Sequence, residues 1–85
     1  MEKTWTVYIL ECSDGTLYTG VTTDIVRRIH EHNTSEKWAK YTRARRPVAL
    51  RYEEQYSSRS HACAREYAIK QLSKNEKESL IKSEK

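Results

Sequence analysis

Eighty-five residues leave room for one domain, 1–85, with a small hydrophobic core. Only 36% of them are apolar. No apolar run approaches the ~20 residues of a membrane span, and "MEKTWTVYILEC" lacks the cleavage pattern of a signal peptide, so a soluble cytoplasmic protein is expected. The net charge is +4, and residues 37–51 hold six basic side chains and no acidic one. Cys12 and Cys63 stand in no metal-ligand spacing and are too few for a disulfide scaffold, so both read as reduced thiols.

"TWTVYILEC" alternates and is rich in β-branched and aromatic residues, which predicts a strand. "SDGT" is a turn and "LYTGVT" the partner strand. A two-residue turn at Asp14-Gly15 would pair Cys12 with Leu17 and send Tyr8 and Tyr18 to opposite faces. A three-residue loop with Gly15 in the left-handed region pairs Cys12 with Thr16 instead. Val7, Ile9, Leu17 and Val21 then share one face, and Tyr8, Leu10, Tyr18 and Gly20 the other. The cleaner apolar face favours the second register.

Thr23 or Asp24 can cap a helix running to about Asn33. At about 100° per residue, Ile25, Val26 and Ile29 form a core stripe. Arg28 and His32, four residues apart, lie along its edge, while Arg27 and His30 project into water. A histidine in the last turn is also what the helix dipole favours without any further role.

The basic stretch holds Lys37, Lys40, Arg43, Arg45 and Arg46, interleaved with Trp38 and Tyr41. Such a surface attracts phosphate backbones and can stack bases. It can equally be a solvated loop with two core aromatics, containing at most one short helical turn. "VALRYEEQY" reads as a third strand with Val48, Leu50, Tyr52 and Tyr56 on one side. Residues 60–73 and "KNEKESLIKSEK" read as helices, the last fraying over 82–85. The order is β-β-α-β-α-α, a small α+β domain around a short, mainly antiparallel sheet.

On the helix over 60–73, Ala62, Ala68, Ile69 and Leu72 define an apolar side with Glu66 at its border. A carboxylate there needs a partner. Arg28, Arg59 or Arg65 could supply a salt bridge; alternatively, Glu66 holds a hard divalent cation. Two phenols facing one way, an oriented arginine and such a carboxylate suit phosphodiester chemistry. A phenol passes a proton readily only if its pKa falls from about 10, as a nearby cation and arginine would favour.

"TVY", then nine residues, then "YTG", then an arginine ten positions after the second tyrosine, resembles the GIY-YIG nuclease superfamily over nearly the whole chain. The small bacterial YhbQ-like group is especially similar, through "LYTGVTTDIVRRIHEH" and "AREYAIKQLSKNEKESLI". The resemblance implies a three-stranded antiparallel sheet flanked by helices. It implies that Tyr8 and Tyr18 are the motif tyrosines, with Tyr8 a general base acting directly or through water. It further implies that Arg28 is the catalytic arginine, His32 a helper histidine and Glu66 the ligand of Mg²⁺ or Mn²⁺. Thr6 stands where the first motif has glycine, and Thr19 where the second has isoleucine.

The expected activity is that of a divalent-metal-dependent endonuclease, a hydrolase acting on structured or single-stranded DNA, with RNA open. With no separate DNA-binding domain expected, Lys37, Lys40, Arg43, Arg45 and Arg46 form the main nucleic-acid surface. Two other readings compete with it. One is a catalytically inactive nucleic-acid-binding module; the other is an interaction subunit docking a partner through Leu80-Ile81. Monomer is the working assumption.

Overall fold

The structure, a computed structural model, describes residues 3–34 and 40–83, with only the backbone described at positions 40 and 41. The elements are β1 (Trp5–Glu11), β2 (Leu17–Thr22), α1 (Ile25–Thr34), α2 (Lys40–Arg43), β3 (Ala49–Tyr56), α3 (Arg59–Lys70) and α4 (Lys74–Ser83). The three strands form one antiparallel sheet in the order β2-β1-β3. This is the β-β-α-β-α-α architecture of the sequence reading, with α2 as the short helical turn of the basic stretch.

The β1–β2 hairpin adopts the three-residue loop. Glu11 pairs with Leu17 and Tyr8 with Gly20; Cys12 N donates to Thr16 O at 2.9 Å, and Gly15 has φ 85°. Only glycine enters that left-handed region at little cost. Val7 and Ile9 consequently anchor one core cluster with Leu17 and Val21, while Tyr8, Leu10 and Cys12 anchor a second with Tyr18.

The third strand does not keep one apolar side. A β-bulge between Ile9 and Leu10 sets Tyr52 opposite Ile9 but Leu50 opposite Leu10. One extra residue shifts the side-chain period by one. Val48 and Leu50 therefore join the second cluster, and Tyr52 and Tyr56 the first.

Each main helix is started by a side-chain cap. Asp24 Oδ1 accepts from Arg27 N at 3.1 Å on α1, and Ser58 Oγ accepts from His61 N at 3.3 Å on α3. On α4, Ser73 and Glu76 cap each other reciprocally, at 2.8 and 3.2 Å, a capping box. α3 crosses β1 and β2 and closes the first cluster with Ala62 and Ile69, while Ala68 is exposed. Leu80 and Ile81 of α4 pack against the same cluster, which takes them out of the exposed patch a docking face would need. No helix among the described residues is long and apolar enough to cross a membrane. Both cysteines are free, as expected, with Cys12 buried.

α1 covers the opposite side of the sheet. Ile25 and Ile29 pack on the second cluster, but Val26 is 78% exposed and the position buried instead is His32. The inward stripe is Ile25, Arg28, Ile29 and His32, about 100° wide and centred near His32. An apolar tally placed the stripe one residue off, because its two polar members do not register as core.

Candidate active site

The pairing of Tyr8 with Gly20 determines where the Tyr8 phenol lies. A Cβ built on Gly20 would overlap the hydroxyl and fall 2.6 Å from Cζ. Glycine at 20 is thus required by close approach, since its φ is not in the left-handed region. The phenol rests over bare backbone, and its ring lies 6.5 Å from that of Tyr18, centroid to centroid.

His32 arrives from α1. Its ring meets Tyr8 and Tyr18 edge-on, at 5.9 and 5.1 Å, with Nε2 3.0 Å from the Tyr8 hydroxyl. Nδ1 lies 2.8 Å from Thr42 Oγ1 on α2. Tyr8, His32 and Thr42 are each no more than 1% exposed, so a continuous polar chain runs through the second cluster. Arg46 Nε donates to the His32 carbonyl at 2.6 Å. Asn33 exchanges hydrogen bonds with the Val48 backbone, at 2.8 and 3.3 Å, so the segment after α2 is tied to the C-terminal end of α1.

Arg28 lies on the same helix face, its side chain 21% exposed and its Nε 3.1 Å from Glu31 Oε1. Its positive charge acts on the Tyr8 phenol and pulls its pKa down. Arg27 is 61% exposed and His30 exposed, the surface roles expected of them. Glu66 of α3 is 21% exposed and close enough for its charge to act on Tyr8. Its ion-pair partner is Lys70 Nζ at 3.2 Å, one turn along α3, in place of the arginines considered from sequence. Tyr8, Tyr18 and His32 are thus brought into contact, with Arg28 and Glu66 near enough for their charges to act on Tyr8. Thr42 belongs to the same group and was missed. It lies in a stretch without periodicity, where one threonine gives no signal.

Electrostatics correct one expectation. Burial, reinforced by the neighbouring Tyr18, pushes the Tyr8 phenol above its ordinary value even though Arg28 pulls the other way. Removing a charged group from water outweighs one favourable cation at this depth. Burial also lowers His32 to about 4, helped by Arg28 and Arg46 and opposed by Glu31. At neutral pH the pair is a neutral phenol against a neutral imidazole.

The basic stretch is only partly free to bind a phosphate backbone. Lys37 lies outside the described residues, as does the Lys40 side chain, and Arg43 is exposed. Arg45 and Arg46 are half-buried. Arg45 Nε is 3.1 Å from Asp14 Oδ2, and its carbonyl accepts from Ser13 N at 2.9 Å.

A second polar group, absent from the sequence reading, lies on the other face. Glu54 accepts hydrogen bonds from Arg65 Nε and Nη2, both at 2.9 Å, from Tyr56 at 2.6 Å and from Tyr52. These bonds outweigh its burial and hold its carboxyl down at about 2. A glutamate flanked on one strand face by two tyrosines was a legible signal for such a cluster.

As to the metal, no group of three or more His, Cys, Asp or Glu side chains converges among the described residues. Among the described residues, the carboxylates near this site are Glu66 and Glu31, the latter paired with Arg28. That donor set fits Mg²⁺, which retains several waters and takes one or two carboxylates together with substrate phosphate oxygens.

Known proteins bear on the same residues. The profile of the GIY-YIG catalytic domain matches residues 4–79. A UPF0213 protein of Desulfotalea psychrophila is 62% identical over 79 residues, 93% of this chain and 72% of that protein. One from Halobacterium salinarum is 60% identical over 75 residues, 88% and 96% of the two chains. The solution NMR structure of a UPF0213 protein from Bacillus halodurans superposes with a TM-score of 0.62 at 47% identity, covering 95% of this chain and 85% of that one. With the match running from before the first strand into the last helix, the chain belongs to the GIY-YIG family and, within it, groups with the UPF0213 proteins.

Proposed function

We propose that this protein is a divalent-metal-dependent nuclease that hydrolyses phosphodiester bonds in DNA, structured or single-stranded, with RNA open as a substrate. Membership of a nuclease superfamily supports the reaction class. The observation that carries the reading is the grouping around one phenol, Tyr8, of His32 by a hydrogen bond and Tyr18 by ring contact, with the charges of Arg28 and Glu66 acting on it.

Tyr18, Arg28 and Glu66 are partly exposed, and would form the rim on which a phosphate lies, while the Tyr8–His32 pair is buried. Glu66 is the residue that would hold Mg²⁺ or Mn²⁺. A hard divalent cation bound there supplies polarisation of the phosphate and stabilisation of the leaving oxygen. Arg28 offsets the negative charge that builds on the phosphoryl oxygens. The raised phenol is compatible with general-base work because Tyr8 never has to become a free phenolate. It takes a proton from the attacking water as its own passes to His32 Nε2. The positive charge then rests on the imidazole, near the developing negative charge. Such a relay contributes roughly 10²–10⁴-fold. The exposed Arg43, with Lys37 and Lys40, would grip the backbone, so binding should weaken steeply with salt.

A second reading, a nucleic-acid-binding module without catalysis, is favoured by the Lys70 pairing of Glu66 and the 1% exposure of Tyr8. Cleavage assays separate the two. Labelled single-stranded, duplex, flap and branched DNA, and RNA, are incubated at low salt with Mg²⁺ or Mn²⁺, using wild type, Glu66→Ala and Arg28→Ala. The nuclease reading expects metal-dependent cleavage and losses of at least ~10²-fold in each variant. Binding without cleavage by wild type, or cleavage undiminished in the variants, sinks it and leaves the binding module.

A further inference from the structure

The Tyr8 hydroxyl has one proton to give and lone pairs with which to accept. The Arg28 guanidinium, which has only donors, acts on it with its positive charge, so the lone pairs of the phenol oxygen, not its proton, are drawn towards Arg28. The phenol's own proton needs an acceptor, because a buried O–H left unmatched is costly. Among the described residues the acceptor within reach is His32 Nε2, at 3.0 Å. A neutral imidazole carries its proton on one nitrogen and accepts at the other. If Nε2 accepts, the proton is on Nδ1, and Nδ1 faces Thr42 Oγ1 at 2.8 Å.

We propose that Thr42 is a positioning residue: by accepting from His32 Nδ1–H it holds the imidazole in the tautomer whose Nε2 is open to the Tyr8 proton. The catalytic consequence rests on the nuclease reading; the tautomer assignment does not. Thr42 is suited to the role because it is itself held. It is fully buried, its carbonyl accepts from Arg45 N, and the Arg45 carbonyl accepts from Ser13 N in the hairpin loop, both at 2.9 Å. The same segment reaches His32 a second time, through Arg46 Nε on its carbonyl at 2.6 Å. Ring and backbone of one histidine are thus gripped from α2 and the residues after it. A basic segment read from sequence as a phosphate-binding loop therefore also orients the buried relay.

The test is nitrogen-15 NMR of the histidine rings in wild type, Thr42→Val and Thr42→Ser, with His32 assigned by its loss in His32→Gln. Wild type should show a protonated Nδ1 and an unprotonated Nε2, and Thr42→Ser should keep that pattern. Thr42→Val, close in shape but without an acceptor, should shift His32 towards the Nε2–H form. On the substrate found by the cleavage panel, Thr42→Val should lower kcat by about tenfold or more, with KM within about twofold and most of the rate restored in Thr42→Ser. An Nε2–H tautomer in wild type overturns the proposal without any variant. So does a Thr42→Val protein with the wild-type ring pattern or wild-type kcat. The expected ring pattern in a wild-type protein that cuts nothing upholds the Thr42 assignment and overturns the nuclease reading.

Discussion

Alternate residues of the same three strands build the two faces of this sheet, and the faces bury polar groups in opposite ways. On the first, α3 and α4 close over Val7, Ile9, Tyr52, Ala62 and Ile69. Its charged group is a carboxylate saturated by a two-pronged arginine and two phenols. Those groups hold one another, and the charges lock α3 to β3. On the second, α1 and α2 bury a phenol, an imidazole and a threonine hydroxyl in series. Those groups are neutral, and beside them the charged Arg28 of α1 stays partly exposed, as does Glu66 of α3. Saturated charge makes a fastener, whereas a chain of neutral hydrogen bonds beside partly exposed charges makes the candidate site.

The sharpest way to break that contrast is Gly20→Ala. The new methyl would displace the Tyr8 ring from its place over the backbone, and a ring packed in a core has little room to yield. Overpacking of this kind costs about 1–3 kcal/mol, so the fold should survive with a lower denaturation midpoint. The Tyr8–His32 bond should not survive. The expected result is a folded protein with cleavage reduced at least ~10²-fold and a shifted His32 ring spectrum. Full activity in Gly20→Ala would mean that the buried phenol does not take part.

Acid should unfold the two faces in separate windows. His32 is lowered from 6.5 to about 4 by burial. Between those values the unfolded chain binds a proton that the folded chain refuses, so stability falls as pH drops through the window and levels off below it. The contribution is at most about 3 kcal/mol, from 1.36 kcal/mol per unit. Glu54, held at about 2 against an ordinary 4.5, contributes stability above the ordinary value and loses it as pH falls towards about 2. Urea unfolding followed from about pH 7 down to about pH 3 should therefore show an upper and a lower decline. His32→Gln should remove the upper decline and leave the lower, and Glu54→Gln the reverse. A single decline removed by neither variant would show that these groups do not govern acid stability.

What could be read in advance follows the same division. The hairpin register was legible because turn length and alternation both restrict it, and Gly15 marked the left-handed position. Arg28 and His32 were found on one helix edge by periodicity and matched to the family motif. The bulge in β3 was invisible, because a bulge alters pairing without altering composition, and it moved Leu50 to the other face from Tyr52. The centre of the α1 stripe was misplaced because a histidine and an arginine occupy positions that an apolar count cannot recognise. The direction of the Tyr8 shift was missed for a related reason: the motif supplies the cation but not the depth of burial.

Thr19 provides the smallest and most selective comparison. It stands where the second family motif has isoleucine, and it is 3% exposed, with its hydroxyl lacking a hydrogen-bond partner among the described residues. It pairs with Ile9 on the face that also holds the saturated Glu54 group. Replacing an unmatched buried hydroxyl with a methyl of the same shape removes a desolvation cost and leaves no orphaned partner. Thr19→Val should therefore be neutral to stabilising, by up to about 1 kcal/mol, in a urea unfolding curve of unchanged slope. Since Thr19 faces away from Tyr8 and Tyr18, cleavage should not change. A loss of stability would mean that the hydroxyl has a partner, such as a buried water, and that the first face holds a polar group as necessary as those of the second.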